Sequence, residues 1–271
     1  MAKYTSITFL TDFGLQDDFV GVCHGVMKRI APDVSVIDIT HGIPPQAVLQ
    51  GAVVLANTVP YMPVAVHLAV VDPEVGGDRR ALAVATRDGR VFVGPDNGLL
   101  MSAADAAGVE AAYELKNVRY RLERVSRTFH ARDVFAPAAA HIAGGVPIED
   151  LGPELDPATL VRLARPRPDV GRTHVNATVL AVDRFGNIQL NVRPEHIEAV
   201  GLHRGDRVEV AVQLDAYYAV IVETFADAPQ GELIVYEDSY GAFAIAISGG
   251  HAAALTGARP GDRVRISPAR E

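Results

Sequence analysis

Two architectures in tandem are predicted: an α/β N-terminal domain, with a mostly parallel sheet and flanking helices, then a smaller all-β, barrel-like C-terminal domain. Three observations predict them. Up to about residue 165, apolar runs of strand length alternate with helix-length ones, as in helices packed on a parallel sheet. The stretch Arg165-Pro166-Arg167-Pro168-Asp169-Val170-Gly171 then breaks both periods, since two prolines and a glycine suit neither a helix nor a sheet interior. Beyond it, strand-like runs separated by turn residues leave little helical periodicity. The domains are accordingly drawn at 1–165 and 173–271, joined by a linker at 166–172.

In the first domain the strand candidates are Ser6 to Leu10, Val34 to Ile39, Val64 to Val71, Ala81 to Thr86 and Val91 to Gly94. Between them Asp17 to Ile30 carries Phe19, Cys23, Val26, Met27 and Ile30 on one helical face, and Gln46 to Val59 reads likewise. Further helices are expected near Gly98 to Ala107 and Asp133 to Ala143. The second domain offers Val175 to Val182, Ile188 to Val192, Asp206 to Gln213, Tyr218 to Phe225, Glu232 to Tyr236 and Phe243 to Ile247, with a last strand after the Pro260-Gly261-Asp262 turn.

At 271 residues and 49% hydrophobic, the chain can bury a sizeable core. A net charge of −8 disfavours a binder of phosphate backbones, so nucleic acid is not an expected partner and a cationic small molecule fits better. The single cysteine, Cys23, excludes an internal disulfide and a multi-cysteine zinc site, which suits a reducing compartment. Met1 to Ser6 lack the features of a secretory signal, and no apolar run approaches the ~18–20 residues of a membrane span. A cytoplasmic protein with no membrane partner is expected.

No Walker loop, GxGxxG, HExxH, GxSxG or CxxC is present. None of the nine histidines stands at ligand spacing from a second His or Cys, and no metal is expected. The polar residues at strand ends are more informative. Asp12 follows the first strand, where open α/β sheets place their ligands, and its carboxylate could hold ribose hydroxyls. Asp17 or Asp18 reads first as the N-cap of the next helix. Asp72 closes the third strand ahead of a Pro/Gly turn that ends in Arg79 and Arg80, a spacing suited to a fixed charge pair, structural or catalytic. His130 stands just before a helix start, with Asp133 near its N-cap; histidine titrates near neutrality and is the commonest general base. Asn97, in Gly94-Pro95-Asp96-Asn97-Gly98, could cap or touch a ligand. Asp183-Arg184-Phe185-Gly186-Asn187 is a hairpin-like turn that also has the ingredients to hold a purine.

Taken together, the TDFG…DD start, VDPEVGGDRR, GPDNGLL, TFHARDVFAP and VDRFGNIQLN resemble the S-adenosylmethionine hydroxide adenosyltransferase family, whose relatives include the S-adenosylmethionine-dependent fluorinase and chlorinase. The resemblance spans nearly the whole chain, in order. It implies water or hydroxide attack on the 5′ carbon of S-adenosylmethionine, giving adenosine and L-methionine, with no cofactor. It also implies a homotrimer with sites at subunit interfaces, and a C-terminal domain that contacts adenine.

By this resemblance Asp72, Arg79 and His130 match the family's hydrolytic Asp-Arg-His set. Asp12 matches the ribose-diol carboxylate, Asp17, Asp183 and Ser239 the methionine-end contacts, and Asn187 and Ala252 the adenine contacts; Asn97 joins them as a substrate-binding candidate. Gln189 and Tyr240 depart from the halogenating relatives, which carry an aromatic and an arginine there. Halogenation of the same substrate, or non-catalytic binding of S-adenosylmethionine or adenosine, are the alternative readings.

Overall fold

In the computed structural model of the chain, which describes residues 3–164 and 166–269, the first strand is buried along its whole length, as a run of SITFLT in the middle of a parallel sheet must be. This strand, β1 (Ser6–Thr11), continues through α1 (Phe19–Ile30), β2 (Ser35–Thr40), α2 (Val48–Thr58) and β3 (Val66–Val70). There follow β4 (Ala81–Thr86), β5 (Val91–Pro95), α3 (Met101–Ala107), β6 (Val109–Glu114), a π-helical turn (Ala131–Phe135), α4 (Ala136–Ala143) and β7 (Glu154–Leu155). The sheet order is β2-β1-β3-β5-β4-β6-β7, with β2, β1, β3 and β5 parallel and the rest antiparallel.

Alternate strand residues serve opposite faces. Ile7, Phe9, Val66, Leu68 and Val70 pack beneath α1 and α4 through Val20, Cys23, Met27, Ala139 and Ile142. Leu10, Ala69, Val71, Val84 and Phe92 pack beneath α2 and α3 through Ala52, Leu55 and Ala104. The chain leaves β1 for β2 on one side and then crosses to β3 on the other. The carboxyl ends of β1 and β3 therefore flank a topological switch point, the crevice where open α/β sheets bind ligands.

The chain divides into compact units at 1–163 and 164–271. The second unit comprises β8 (Asp169–Val170), β9 (Val175–Val182), β10 (Ile188–Leu190), α5 (Pro194–Glu198), β11 (Arg207–Val212), β12 (Asp215–Val222), β13 (Leu233–Glu237), β14 (Phe243–Ile247), α6 (Ala252–Thr256) and β15 (Arg263–Pro268). Its sheet runs β10-β14-β13-β12-β11-β15-β9-β8, and β10 also pairs with β9, which closes seven strands into a barrel. Closure removes the sheet edges. The pairs are antiparallel except β12 with β13. Strict in–out alternation in β9 puts Val175, Ala177 and Val179 inside with Val208, Val210 and Val212 of β11.

The structure departs from the sequence expectations in several places. Of the stretch expected as linker, Arg165 lies outside the described residues, as do Met1 and Ala2 of the leader reading, while Asp169 and Val170 form β8 on the edge of β9. Both prolines precede that pairing, so no ladder hydrogen bond is lost. The strand β6 was not anticipated, because Val109-Glu-Ala-Ala-Tyr-Glu carries little β-branched character; it forms by pairing with β4. In the barrel, β12 begins at Asp215, three residues before the expected start, because Gln213 adopts φ 55° and tightens the β11–β12 hairpin. The short helices α5 and α6 are too brief to give a helical period.

Candidate active site

Asp72 stands two residues beyond β3, and the turn after it carries Arg79 back across it. Arg79 donates from Nε to both Asp72 oxygens, at 3.0 and 3.1 Å, and from Nη2 to Oδ2 at 2.6 Å. Both side chains are only 5% exposed, so this is a buried ion pair rather than a surface one. The guanidinium also lies 5.1 Å from the centre of the Phe135 ring. Arg80 turns elsewhere: its Nε donates to Asp96 at 2.7 Å, and the other Asp96 oxygen accepts from Val161 N. The two neighbouring arginines thus divide, Arg79 toward Asp72 and Arg80 toward the frame.

His130 completes a row, with Arg79 Nη2 donating to its Nδ1 at 2.8 Å. Arginine carries only donors, so Nδ1 must accept, and the neutral ring holds its proton on Nε2. Burial first, and then the Arg79 guanidinium, hold His130 below the ordinary histidine value of 6.5, against opposing pulls from Asp72 and Asp133. The ring stands at the mouth of the π-helical turn, a feature frequent at functional sites. Pro137 accounts for the widened turn. It has no N–H to return to the Asp133 carbonyl, which accepts instead from Leu122 N at 2.9 Å, while Ala136 N bonds Ala131 O.

Asp133 lies in the first turn after His130, near the N-cap as the sequence suggests, but its side chain does not cap the helix. It is fully buried inside the turn, where its carboxylate accepts from Arg132 Nε at 2.6 Å and from Ser126 N at 2.7 Å. It thereby pins the loop that precedes His130. Gly76, at φ 78°, brings the Asp72–Arg79 turn against that loop; a Cβ there would overlap the Arg127 carbonyl. Neither the Arg132–Asp133 pair nor Gly76 stood out in the sequence, although the buried acid beside a Pro-interrupted helix start was the available signal.

The remaining candidates of the first unit sit around the same strand ends. One Asp12 oxygen accepts from Gln46 N at 2.9 Å, and Gln46 holds φ 65°, a left-handed backbone rare outside glycine. Asp18 occupies the N-cap position of α1, but its side chain makes no capping bond, and Asp17 is exposed just before it. Asn97 donates to Val71 O at 2.8 Å and accepts from Leu99 N at 3.1 Å, tying the end of β3 to the turn before α3. It holds in place the backbone from which Asp72 projects.

In the barrel, Asp183 and Asn187 meet across the β9–β10 turn. Asp183 Oδ1 accepts from the backbone of Phe185 and Asn187, and Oδ2 from Asn187 Nδ2 at 2.7 Å. The α6 terminus closes on this turn: Ala253 N donates to Gly186 O, and the His251 ring lies where a Gly186 Cβ would be. Ala252 is buried at the start of α6, and Ser239 is exposed on the β13–β14 turn beside Asp238. Asp238 accepts from Gln189 Nε2 at 2.6 Å. Burial, followed by the carboxylates of Asp183 and Asp238, pushes the Tyr236 hydroxyl up to about 12.

The expectation of no metal-ligand spacing overlooked one cluster. His24 on α1 converges with Asp38 on β2 and with His41 just beyond it, a meeting of elements that local spacing does not show. Among the described residues, no helix is long and apolar enough to cross a membrane.

Comparison with known proteins gives this geometry its context. The N-terminal domain of the SAM hydroxide adenosyltransferase family matches residues 7–152, and the C-terminal domain matches residues 177–265. A protein of Salinispora tropica named (R)-S-adenosyl-L-methionine hydrolase is 51% identical over 268 residues, 98% of this chain and 99% of its own. A fluorinase of Actinoplanes sp. is more distant, at 28% identity over 89% of this chain and 90% of its own. The crystal structure of an uncharacterized conserved protein from Thermotoga maritima matches with a TM-score of 0.89 and 37% identity, covering 96% of this chain and 99% of that one. With both family domains matched in order and near-complete coverage at such identity, the chain belongs to the SAM hydroxide adenosyltransferase family.

Proposed function

We propose that the protein hydrolyses (R)-S-adenosyl-L-methionine to adenosine and L-methionine, with Asp72, Arg79 and His130 acting on the water. The observation that carries this reading is the row in which Arg79, buried against Asp72, bridges it to the half-buried His130. In the reaction an oxygen–carbon bond forms at the ribose 5′ carbon while the carbon–sulfur bond breaks. Its electron pair stays on sulfur, which leaves as a neutral thioether and needs no general acid. The difficulty lies in the nucleophile, because water is a poor one at a pKa of about 15.7. The Arg79 charge favours hydroxide beside it. Asp72 is the acceptor of the row, and the neutral His130 donates from Nε2, so an acceptor and a donor together orient the nucleophile.

Asp12 holds the ribose hydroxyls and Asp17 the methionine end, while Asp183, Asn187, Ser239 and Ala252 of the barrel hold the rest of the substrate. Asn97 acts from behind Asp72. The assembly is a homotrimer in which the first unit of one subunit meets the barrel of the next. Its support is that the exposed Leu15 and Phe185 lie in the loops of Asp17 and Asp183, with exposed Phe19 at the start of α1, where a subunit contact would cover them. The enzyme is cytoplasmic and uses no cofactor.

The test is incubation with S-adenosylmethionine in halide-free buffer made with heavy-oxygen water, following products by chromatography and mass spectrometry. Adenosine labelled at its 5′ hydroxyl, lost in His130→Ala, is the expected result. Unlabelled adenosine, or equal turnover in the variant, would overturn the assignment. Light scattering that gives a monomer would overturn the trimer.

A further inference from the structure

A second set of ligand-type groups lies at the same edge of the sheet but outside the Asp72–Arg79–His130 row. His24 Nε2, Asp38 Oδ1 and His41 all present ligand atoms within 4.8 Å of one another. His24 Nε2 is 2.8 Å and His41 Nε2 is 3.1 Å from Asp38 Oδ1. A divalent ion bound at about 2.0–2.2 Å by nitrogen and oxygen sets ligand–ligand edges of roughly 3 Å; the two spacings to Asp38 are close to that, and the three ligand atoms lie within 4.8 Å of one another.

An independent observation separates this cluster from ordinary surface ion pairing. The His41 side chain is 3% exposed, and its Nε2 is buried with no hydrogen-bond partner despite its closeness to the carboxylate. A buried imidazole nitrogen left unbonded is costly unless something fills that direction. Its other nitrogen, Nδ1, lies 2.8 Å from Thr11 Oγ1, the outer contact that fixes a metal-binding histidine's tautomer. The Phe9 ring packs against both imidazoles, edge-on to His41 at 4.9 Å and tilted to His24 at 5.9 Å, and so limits their rotation.

From these features we propose that His24, Asp38 and His41 form a binding site for a divalent transition ion of the zinc class. Two imidazoles and one carboxylate suit zinc, cobalt or nickel, whereas magnesium and calcium require oxygen ligands. Asp38 is 42% and His24 is 32% exposed, which gives the ion a path in and leaves its remaining positions to water. The His41 backbone carbonyl also accepts from Gly14 N at 2.8 Å. An ion on His41 therefore steadies the loop from Asp12 to Asp18. The site stands whether or not the chain hydrolyses S-adenosylmethionine.

The experiment uses tag-free, chelator-treated full-length protein. Zinc is titrated by calorimetry, cobalt by visible absorption, and magnesium serves as the contrast. One saturable zinc site is expected, with a cobalt spectrum showing nitrogen ligation and no magnesium binding. His24→Gln and Asp38→Asn, both at accessible positions, should each weaken zinc by more than about tenfold. His203→Gln, an exposed histidine on the barrel, should leave it unchanged. No saturable zinc binding by the folded wild type overturns the proposal, and so does equal affinity in the two cluster variants. Should His41→Asn fail to fold, the accessible variants and the cobalt spectrum decide the matter.

Discussion

Replacing Asp72 by asparagine keeps the shape of the side chain and removes only its charge. What remains is an Arg79 guanidinium 5% exposed to solvent, against the Phe135 ring and the His130 nitrogen, with no anion beside it. At an effective dielectric of about 20, two charges some 4 Å apart attract by about 4 kcal/mol. Breaking a buried pair by removing one partner costs about 3–5 kcal/mol, since the other stays desolvated. For a unit of this size that corresponds to a fall in Tm of roughly 6–20 °C. The double variant Asp72→Leu/Arg79→Met carries no charge at these two positions and should recover most of that loss while remaining inactive. Urea denaturation followed by circular dichroism, with calorimetry on the same three proteins, measures both quantities. A loss below about 1 kcal/mol in Asp72→Asn, or a double variant no more stable than the single, would refute the reasoning.

Three other outcomes follow from particular contacts. His67, fully buried with Nδ1 on Thr8 Oγ1, is pushed down to about 4, by burial first and then by Arg90. The unfolded chain therefore binds the extra proton between pH 6.5 and about 4, and stability falls as pH falls through that window by about 3 kcal/mol. Comparing His67→Leu with wild type at pH 7 and pH 4 checks this, and an equal pH dependence would contradict it. For activity, the depressed His130 value puts the acid limb of kcat/KM below pH 6.5, because protonation would set two cations against each other at Arg79; a limb above pH 7 would count against the row. Gly186→Ala should lower barrel stability by at least about 1–2 kcal/mol, through the cost of φ 83° and displacement of the His251 ring, read as a lower Tm.

How much of this was legible in the sequence depended on how local each signal was. Asp12 and Asp72 could be found from the rule that ligands gather at carboxyl strand ends, and the structure puts both at the switch point flanked by β1 and β3. The spacing after Asp72 suggested a fixed charge pair, and the structure makes that pair with Arg79. The link from Arg79 to His130 spans 51 residues, so only the family pattern could suggest it. The π-helical turn was hidden because the sequence reads as one helix from Asp133 through Pro137, and the effect of that proline on the Asp133 carbonyl becomes apparent only when Leu122 is seen to take the carbonyl. The His24, Asp38 and His41 cluster was missed for the same reason: a helix and a strand bring together residues that sequence spacing keeps apart. Elements such as β6, held between β4 and β7, and the edge strand β8 follow their neighbours in the sheet more than their own composition.

The hydrogen bonds of the row bear on the proposed roles of its members, against the habit of reading the histidine as the base. A base needs a free lone pair facing the nucleophile. On His130 one nitrogen is engaged by Arg79, whose guanidinium offers only donors, and in the neutral ring the other therefore carries the proton. Lowering the pKa of the ring reinforces this by keeping it neutral. Asp72 can still accept, since a carboxylate offers about four lone-pair directions and Arg79 fills three contacts. On the proposed mechanism His130 would act as an oriented donor, and glutamine can imitate that: its carbonyl accepts from Arg79 while its amide donates onward. His130→Gln should therefore keep at least about tenfold more kcat than His130→Ala, whereas loss of a general base would cost both variants alike, by about a hundredfold or more. Single-turnover rates for the two variants at saturating substrate distinguish these cases, and equal rates would return the histidine to the role of base.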